Sequence, residues 1–279
     1  MGRSDGKLVR DLPALDRIVP HLMDRRYDAT NFAKFEFEMT NVNEFLRKLR
    51  AEGHKVGLMD VVIMAYARLC QSTPELNRFV VNKKIYQRNH LCVSFSMLRR
   101  EGDKFVDTVV KVYIEPEDDL LEVSRKIRES IKENEKIQTR NVMDRFADGL
   151  MAVPVLPGFL LGVIKWMDRR GILPKSIINL SPFHTSMFLS NLGSIQMDYI
   201  YHHIYEFGTT SLFISMGKPR RVTEGDQTKR MLTLGIAMDE RICKGVTWVR
   251  SLFEFRRLLE NPEQLLKVRD EERETVGSR

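Results

Sequence analysis

Cysteine is scarce in this chain, since only 3 of its 279 residues are cysteines. They are Cys70, Cys92 and Cys243, an odd number with no C-x-x-C spacing, which argues against both a disulfide framework and a zinc site. We therefore expect no bound metal and a reducing, cytoplasmic setting. Residues 1–10 also lack an apolar core, so we expect no signal peptide.

Blocks of five or more like charges are also absent, although the net charge is +7. The sequence therefore predicts no nucleic-acid-binding surface. Its scattered basic residues instead suit anionic small molecules such as phosphates.

One uncharged apolar run, residues 149–164, tests the expectation of a soluble protein. It is too short to span a bilayer comfortably, and Pro154 and Pro157 interrupt it. The segment 149–166 can be core or a subunit contact, or it can cover a site entrance or dock a protein partner. A membrane-surface role is the least favoured interpretation, and no transmembrane segment is predicted.

The remaining composition, 43% hydrophobic and 30% charged, is typical of a soluble globular protein. Alternating apolar residues predict strands near residues 33–39, 79–86, 91–98, 105–114, 186–190, 211–216 and 231–238. A 3.6-residue period predicts helices near residues 41–53, 60–74, 118–131, 159–170 and 247–259.

No repeat or low-complexity linker divides the chain, so we expect one α/β domain over residues 1–279. Its architecture should be a two-layer α+β sandwich with helices packed on a mixed sheet. Residues 1–14, the start of a polar arm that reaches residue 26, and the charged tail 267–279 should be flexible.

The segment from Leu232 to Gly245 begins as a strand and ends in a charged turn. Four large apolar residues alternate with Thr233, Gly235 and Ala237, and then Asp239, Glu240 and Arg241 follow directly. A buried strand that delivers charged groups at its end is a common way to position a site. This segment therefore predicts a functional site.

Four stretches together resemble the catalytic domain of the dihydrolipoamide acyltransferases of 2-oxoacid dehydrogenase complexes, which share their fold with chloramphenicol acetyltransferase. The stretches are residues 55–77, ending in Pro-Glu-Leu-Asn, residues 170–193, ending in Ser-Asn-Leu-Gly, residues 232–245 and residues 261–266. Their order and spacing agree with the family over roughly residues 15–266.

The resemblance implies a chloramphenicol acetyltransferase-like fold and a homotrimer with active sites between subunits. It also implies a channel that admits coenzyme A from one side and an acyl acceptor from the other. The family enzymes carry lipoyl and subunit-binding domains before this domain. We expect a free-standing catalytic domain, because this chain has no room for them.

Acyl transfer between thiols requires a base and donors for an oxyanion. In the family motif Asp-His-Arg-x-x-Asp/Asn-Gly, the scaffold positions match Asp239, Arg241 and Gly245. Glu240 stands where the family has its histidine base, and Lys244 stands where it has an acid or amide. Proton transfer from a thiol costs about 6 kcal/mol to a glutamate but about 3 kcal/mol to a histidine. Glu240 is therefore a poor base, and a Glu240–Lys244 ion pair that holds the turn is the structural alternative.

Ser190 matches the hydroxyl that stabilises the oxyanion in the family, although a serine at a strand end often only bonds to backbone. His202 and His203 lie side by side in a loop that the resemblance places near the substrate channel. Either histidine can therefore supply a displaced base, and the alternative is an ordinary surface or hydrogen-bonded histidine.

Lys218 and Arg220 follow a strand and are candidates to bind the phosphates of coenzyme A, unless they only form a solvated turn. His184 is a weaker candidate base. Cys243 is a weaker candidate nucleophile, since no neighbouring base is fixed by the sequence.

Two functional hypotheses follow from these residues. The first is an acyltransferase that moves an acyl group from a thioester such as acyl-coenzyme A to an acceptor, with the histidine base replaced at Glu240. The second is a catalytically inactive relative that serves as a trimeric scaffold or binding subunit. The sequence identifies neither the acyl group nor the acceptor, and the charged tail departs from the ending typical of cage-forming family members.

Overall fold

The computed structural model describes residues 3–101, 104–136 and 156–267. The helices are α1 Ala14–Leu22, α2 Thr40–Ala51, α3 Leu58–Ser72, α4 Leu120–Lys136, α5 Leu156–Arg170, α6 Lys175–Leu180 and α7 Gly245–Glu260. The strands are β1 Gly6–Leu8, β2 Thr30–Glu38, β3 Arg78–Val81, β4 Lys84–Arg88, β5 Leu91–Glu101, β6 Lys104–Ile114, β7 Met187–Asn191, β8 Leu212–Met216, β9 Arg220–Glu224 and β10 Gln227–Asp239. None of these helices is long and apolar enough to cross a membrane.

A mixed seven-stranded sheet forms the centre of the molecule, in the order β2-β10-β8-β7-β5-β6, with β9 paired to β10. Strand β7 runs parallel to both β5 and β8, whereas the other pairs in this sheet are antiparallel. A second, antiparallel sheet has the order β1-β4-β3. The predicted α/β class with a mixed sheet and packed helices is confirmed.

The helices α2, α3, α4 and α7 pack on one face of the large sheet and bury the main core with it. Helix α3 lies deepest, because every residue from Asp60 to Cys70 is buried. The Asp60 carboxylate accepts the Gly57 N–H at 2.9 Å and the Ser124 hydroxyl at 2.7 Å, so this buried carboxyl is hydrogen-bonded. The first turn of α3 is thereby held in place.

The opposite face of the large sheet is called the loop face below, because residues 196–210 cross it. Side chains alternate along a strand, so residues two apart share a face. Phe188, Phe213 and Ala237 form a small second core there with Ile204 of the crossing segment. Ser190 and Ser215, two residues beyond the two phenylalanines, therefore also lie on the loop face.

Residues 3–8 of the predicted arm contact the rest of the domain. Strand β1 pairs with β4, and Arg3 and Asp5 are buried. The Arg3 Nε and the Asp5 carboxylate lie 2.5 Å apart, and this pairing allows two charged side chains to leave water. The predicted flexible tail lies, apart from Lys267, outside the described residues, as do residues 149–155 of the apolar segment.

Candidate active site

The crossing segment lies directly on the loop face at Gly235. A Cβ atom at this position would lie 2.0 Å from the Ile200 carbonyl oxygen, so only glycine leaves room for the segment. The Ile200 N–H donates to the Ser215 hydroxyl at 3.2 Å. The glycine within the Leu232–Gly245 pattern thus has a specific purpose, which is to let residues 199–201 pass over β10.

His202 of the crossing segment is packed flat against the sheet. Its ring lies 4.0 Å from the Phe213 ring with an interplanar angle of 4°. Its Nδ1 lies 2.7 Å from the His203 carbonyl oxygen. A carbonyl only accepts hydrogen bonds, so Nδ1 carries the proton and the neutral ring presents an unprotonated Nε2. Partial burial lowers the pKa of His202 below its usual value, which favours this neutral form.

Ser190 also lies on the loop face, next to a second serine. Ser96 of β5 donates its hydroxyl to the Ser190 Oγ at 3.2 Å. Because Ser190 accepts this bond, its own proton remains available for another acceptor. Ser190 is half-buried, which keeps it accessible from the loop face.

The strand register relates His202 to Ser190. Phe213 is opposite Phe188, and Ser215 is opposite Ser190. The His202 ring, above Phe213, is therefore offset from Ser190 by one strand and by roughly 7 Å along the strands. In the reaction, the attacking thiol would bond to the imidazole, and the serine would donate to the oxygen of the attacked carbonyl. The distance from the imidazole nitrogen to the serine oxygen across these groups is roughly 9 Å. The separation suits the two residues to act on one reacting group.

The charged turn after β10 is held by a buried ionic network. Asp239 is fully buried, and Arg241 donates to it from Nε at 2.9 Å and from Nη2 at 2.7 Å. Arg26 lies on the other side, with its Nε 3.6 Å from the same carboxylate. Arg26 also donates to the carbonyls of Tyr205 at 2.6 Å and Gly208 at 3.1 Å. The network therefore ties the end of β10 to the end of the crossing segment.

Glu240 lies away from Ser190 within one chain. It is the first residue after β10, and its Oε2 accepts from Asn31 of β2 at 2.5 Å. Its N–H bonds to the Ala29 carbonyl at 2.9 Å. Glu240 is also five residues beyond Gly235, which the strand register places in line with Ser190. Glu240 and Ser190 are therefore offset by roughly 16 Å along the strand direction.

The predicted ion pair between Glu240 and Lys244 is not formed. The Lys244 Nζ lies 3.8 Å from Asp16 of α1 instead, and its side chain is 61% exposed. The reason is local, since Lys244 is the extended residue that precedes α7 and does not follow Glu240 along a helix face. Gly245 begins α7, and a Cβ atom at this position would have no neighbour within 4 Å.

Three further predicted residues have different surroundings. His203 is exposed and its ring stacks on His202 at 4.6 Å. Lys218 is exposed beside Gly193, close to the end of β7, and forms no ion pair among the described residues. Arg220 forms an ion pair with Glu36 of β2, so its charge is already partly neutralised.

The two weaker candidates do not form catalytic arrangements. His184 is fully buried, with Nε2 2.9 Å from Asp168. Burial lowers the pKa of His184, which keeps the ring neutral. Burial raises the pKa of Cys243 to about 12, so its thiol is a poor nucleophile at neutral pH. Within the described ranges, no group of three or more His, Cys, Asp or Glu side chains could hold a metal ion.

Two residues of this site were missed in the sequence. Ser96 is the hydroxyl partner of Ser190, and the alternation of Ser94 and Ser96 with apolar residues in β5 could have indicated a polar position. Arg26 anchors Asp239, but it comes from a charged run that carries no signal for burial.

Comparison with solved structures shows which known fold the chain shares. Dihydrolipoamide acetyltransferase from Azotobacter vinelandii aligns over 93% of this chain and 94% of its own, with a TM-score of 0.60 and 14% identity. A probable dihydrolipoamide acetyltransferase from Listeria monocytogenes aligns over 92% and 95%, with a TM-score of 0.55 and 14% identity. Chloramphenicol acetyltransferase aligns over 91% and 99%, with a TM-score of 0.55 and 10% identity. The chain therefore has the fold of the chloramphenicol acetyltransferase-like acyltransferases.

The family comparison is more specific. Residues 182–267 match the model of the 2-oxoacid dehydrogenases acyltransferase catalytic domain. These residues include Ser190, both adjacent histidines and the whole turn from Asp239 to Gly245. The resemblance to this catalytic domain is confirmed. No curated protein sequence matches the chain significantly.

Proposed function

We propose that this chain is an acyltransferase in which His202, in place of the residue at position 240, is the base. The observation that carries the proposal is the stacking of the His202 ring on the sheet face that also presents Ser190, with its Nδ1 bonded to a carbonyl and its Nε2 without a hydrogen-bond partner among the described residues. Glu240 is engaged by Asn31 on the other side of the strand. A base on the same face as the oxyanion donor is the simplest arrangement for the reaction.

The proposed reaction transfers an acyl group between two thiols. His202 Nε2 accepts the proton of the attacking thiol as its sulfur bonds to the thioester carbonyl carbon. Ser190 donates to the carbonyl oxygen as negative charge develops there. The bond to the departing coenzyme A sulfur then breaks, and His202 returns the proton to that sulfur. The products are the acylated acceptor and free coenzyme A, so protons and charge balance.

The donor in this proposal is an acyl-coenzyme A thioester. Lys218 supports it, because its ammonium group forms no ion pair within the described part of the chain and it follows strand β8. The last residue of β8, Met216, is opposite Asn191 of β7, which is next to Ser190. Arg220 is a weaker contact for the coenzyme phosphates, since it already pairs with Glu36. A cytoplasmic location is part of the proposal.

A homotrimer is also part of the proposal. Large apolar side chains on or beside the loop face are exposed, namely Phe32 53%, Ile195 45%, Met197 48%, Ile200 40% and Tyr201 47%. Exposed apolar groups in one region typically mark an interface. A second copy seated there would form the other wall of a channel over Ser190. Docking of a protein partner through residues 149–166 stays a prediction, since residues 149–155 lie outside the described part.

The alternative function is a catalytically inactive scaffold or binding subunit. It is favoured by one observation, which is that Glu240 and Lys244 occupy the two decisive motif positions and form contacts with Asn31 and Asp16. The Azotobacter vinelandii enzyme has a serine, a histidine and an asparagine whose roles in catalysis have been investigated. We propose that Ser190, Glu240 and Lys244 stand at those three positions, where only the serine is retained.

Calorimetry with coenzyme A, followed by a coenzyme A release assay with acetyl-coenzyme A and dihydrolipoamide, separates the two functions. The proposal predicts binding and turnover, with a loss of about 100-fold or more in kcat/KM for His202→Gln. His203→Gln, the adjacent control, and Glu240→Gln should stay within about threefold of the wild type. Binding without turnover across several acyl-coenzyme A compounds would favour the scaffold. The absence of both binding and turnover would contradict the proposed donor.

A further inference from the structure

Helix α5 is unusually exposed for a helix of its composition. Among residues 158–170, Asp168 alone is buried. The exposed apolar side chains on this helix are Phe159 67%, Leu161 47%, Val163 36% and Trp166 52%. Large apolar side chains that share one surface mark a place where something else binds.

Three of the four exposed apolar side chains lie on one continuous line, and Leu161 lies apart from it. Phe159, Val163, Trp166 and Arg170 follow one another at intervals of four, three and four, so they share the outer face of the helix. The Arg170 guanidinium lies over the Trp166 ring, 5.6 Å from its centroid. The line therefore runs from an apolar end to an aromatic and cationic end.

The charges on α5 are of one sign on the outside. Lys165, Arg169 and Arg170 are exposed. The acidic residue of the helix, Asp168, points inward, where His184 bonds to it and the Gly208 N–H donates to it at 2.8 Å. Glu206 lines a cavity beside the buried side of α5, together with Asp168, and its carboxylate accepts a hydrogen bond from the Tyr27 N–H at 2.8 Å.

We propose that α5 binds the surface of an anionic lipid bilayer, lying in the plane of the headgroups. An apolar stripe bordered by Lys and Arg, with a tryptophan at the cationic end, is the composition that interfacial helices use. The long basic side chains can reach phosphates while their stems lie along apolar surface. Pairing of this face with a second copy is disfavoured, because it would bring cations together.

The test measures co-sedimentation of the full chain with vesicles. Vesicles of equal phosphatidylcholine and phosphatidylglycerol should bind the protein roughly a hundredfold more tightly than phosphatidylcholine alone, because three cations face the headgroups. Phe159→Ser should weaken binding about tenfold. Phe253→Ser on α7 is the matched control, because Phe253 is also 67% exposed, and it should leave binding unchanged.

Charge and fluorescence provide independent readouts. Arg169→Glu should weaken binding to anionic vesicles, whereas Arg250→Glu on α7 should have little effect. The chain has two tryptophans, and Trp248 is 7% exposed. Contact with anionic vesicles should therefore shift Trp166 emission to shorter wavelength and make it quenchable by brominated lipid. Trp166→Phe should abolish the shift.

Several results would overturn the proposal. One is the absence of binding to anionic vesicles, and another is equal binding to neutral vesicles. Unchanged vesicle binding by Phe159→Ser would also overturn it. If the wild type ignores vesicles but self-associates or binds a protein partner through Phe159, the surface is a protein interface and the lipid assignment is wrong.

Discussion

Replacing Asp239 with alanine should destabilise the fold strongly. The change removes the acceptor for two side-chain bonds from Arg241, at 2.9 and 2.7 Å, and for the Arg241 N–H at 3.1 Å. It also removes the charge 3.6 Å from Arg26. Both arginines are nearly buried, at 5% and 4% exposure. Loss of one partner from a buried ionic group costs about 3–5 kcal/mol.

Arg26→Met should lower the free energy of unfolding less than Asp239→Ala, because Arg241 still donates two side-chain hydrogen bonds to Asp239. Its consequence should be more local, since Arg26 also holds the carbonyls of Tyr205 and Gly208 beside His202. The double variant Asp239→Ala/Arg241→Met should lose less than the sum of the two single changes, because it leaves fewer buried groups without partners.

Urea unfolding with a global fit of the variants measures these costs. Glu44→Ala is the control, because Glu44 lies 3.8 Å from Arg47 with 63% of its side chain exposed, and such surface pairs contribute about 0–1 kcal/mol. If Asp239→Ala costs no more than Glu44→Ala, the turn is not held by this network and the reasoning fails.

Four further predictions concern the site and its supports. The kcat/KM for acyl transfer should fall in acid with an apparent pKa below 6.5, because burial lowers the pKa of His202 and only its neutral form accepts a proton, and a pH–rate profile measures this. The free energy of unfolding should decrease as the pH falls below about 6.5, by up to about 1.4 kcal/mol per pH unit, because the unfolded chain protonates His184 before the folded protein does. His184→Gln should flatten this pH dependence in denaturant titrations, and an unchanged slope would contradict the prediction. Lys218→Ala should raise KM for acyl-coenzyme A several-fold at unchanged kcat, whereas Arg220→Ala should change it less; steady-state kinetics decide between them. Gly235→Ala should displace the crossing segment and lower activity together with the thermal midpoint, because its Cβ would overlap the Ile200 carbonyl.

The strands that build the site could be predicted because their side chains alternate. Strands β7, β8 and β10 present apolar residues to the helices at every second position. Helix α7 could likewise be predicted from its apolar spacing. The family motifs then placed Ser190 and Asp239 correctly at the ends of their strands, since local sequence determines both features.

The missed features depend on distant partners. Arg3, Asp5 and Arg26 are charged, so their pattern indicates solvent, yet each is buried against residues far away in the chain. The alternative of an ion pair between Glu240 and Lys244 followed only from their opposite charges in one short turn. A separation of four residues brings side chains together on a helix, but here the helix begins only after Lys244.

A structure of the chain with bound coenzyme A tests the central claim most directly. The account predicts that the coenzyme sulfur lies about 3–3.5 Å from the Nε2 atom of His202, on the loop face and within reach of the Ser190 hydroxyl. A sulfur atom held instead against Glu240, with His202 remote from it, would contradict the account.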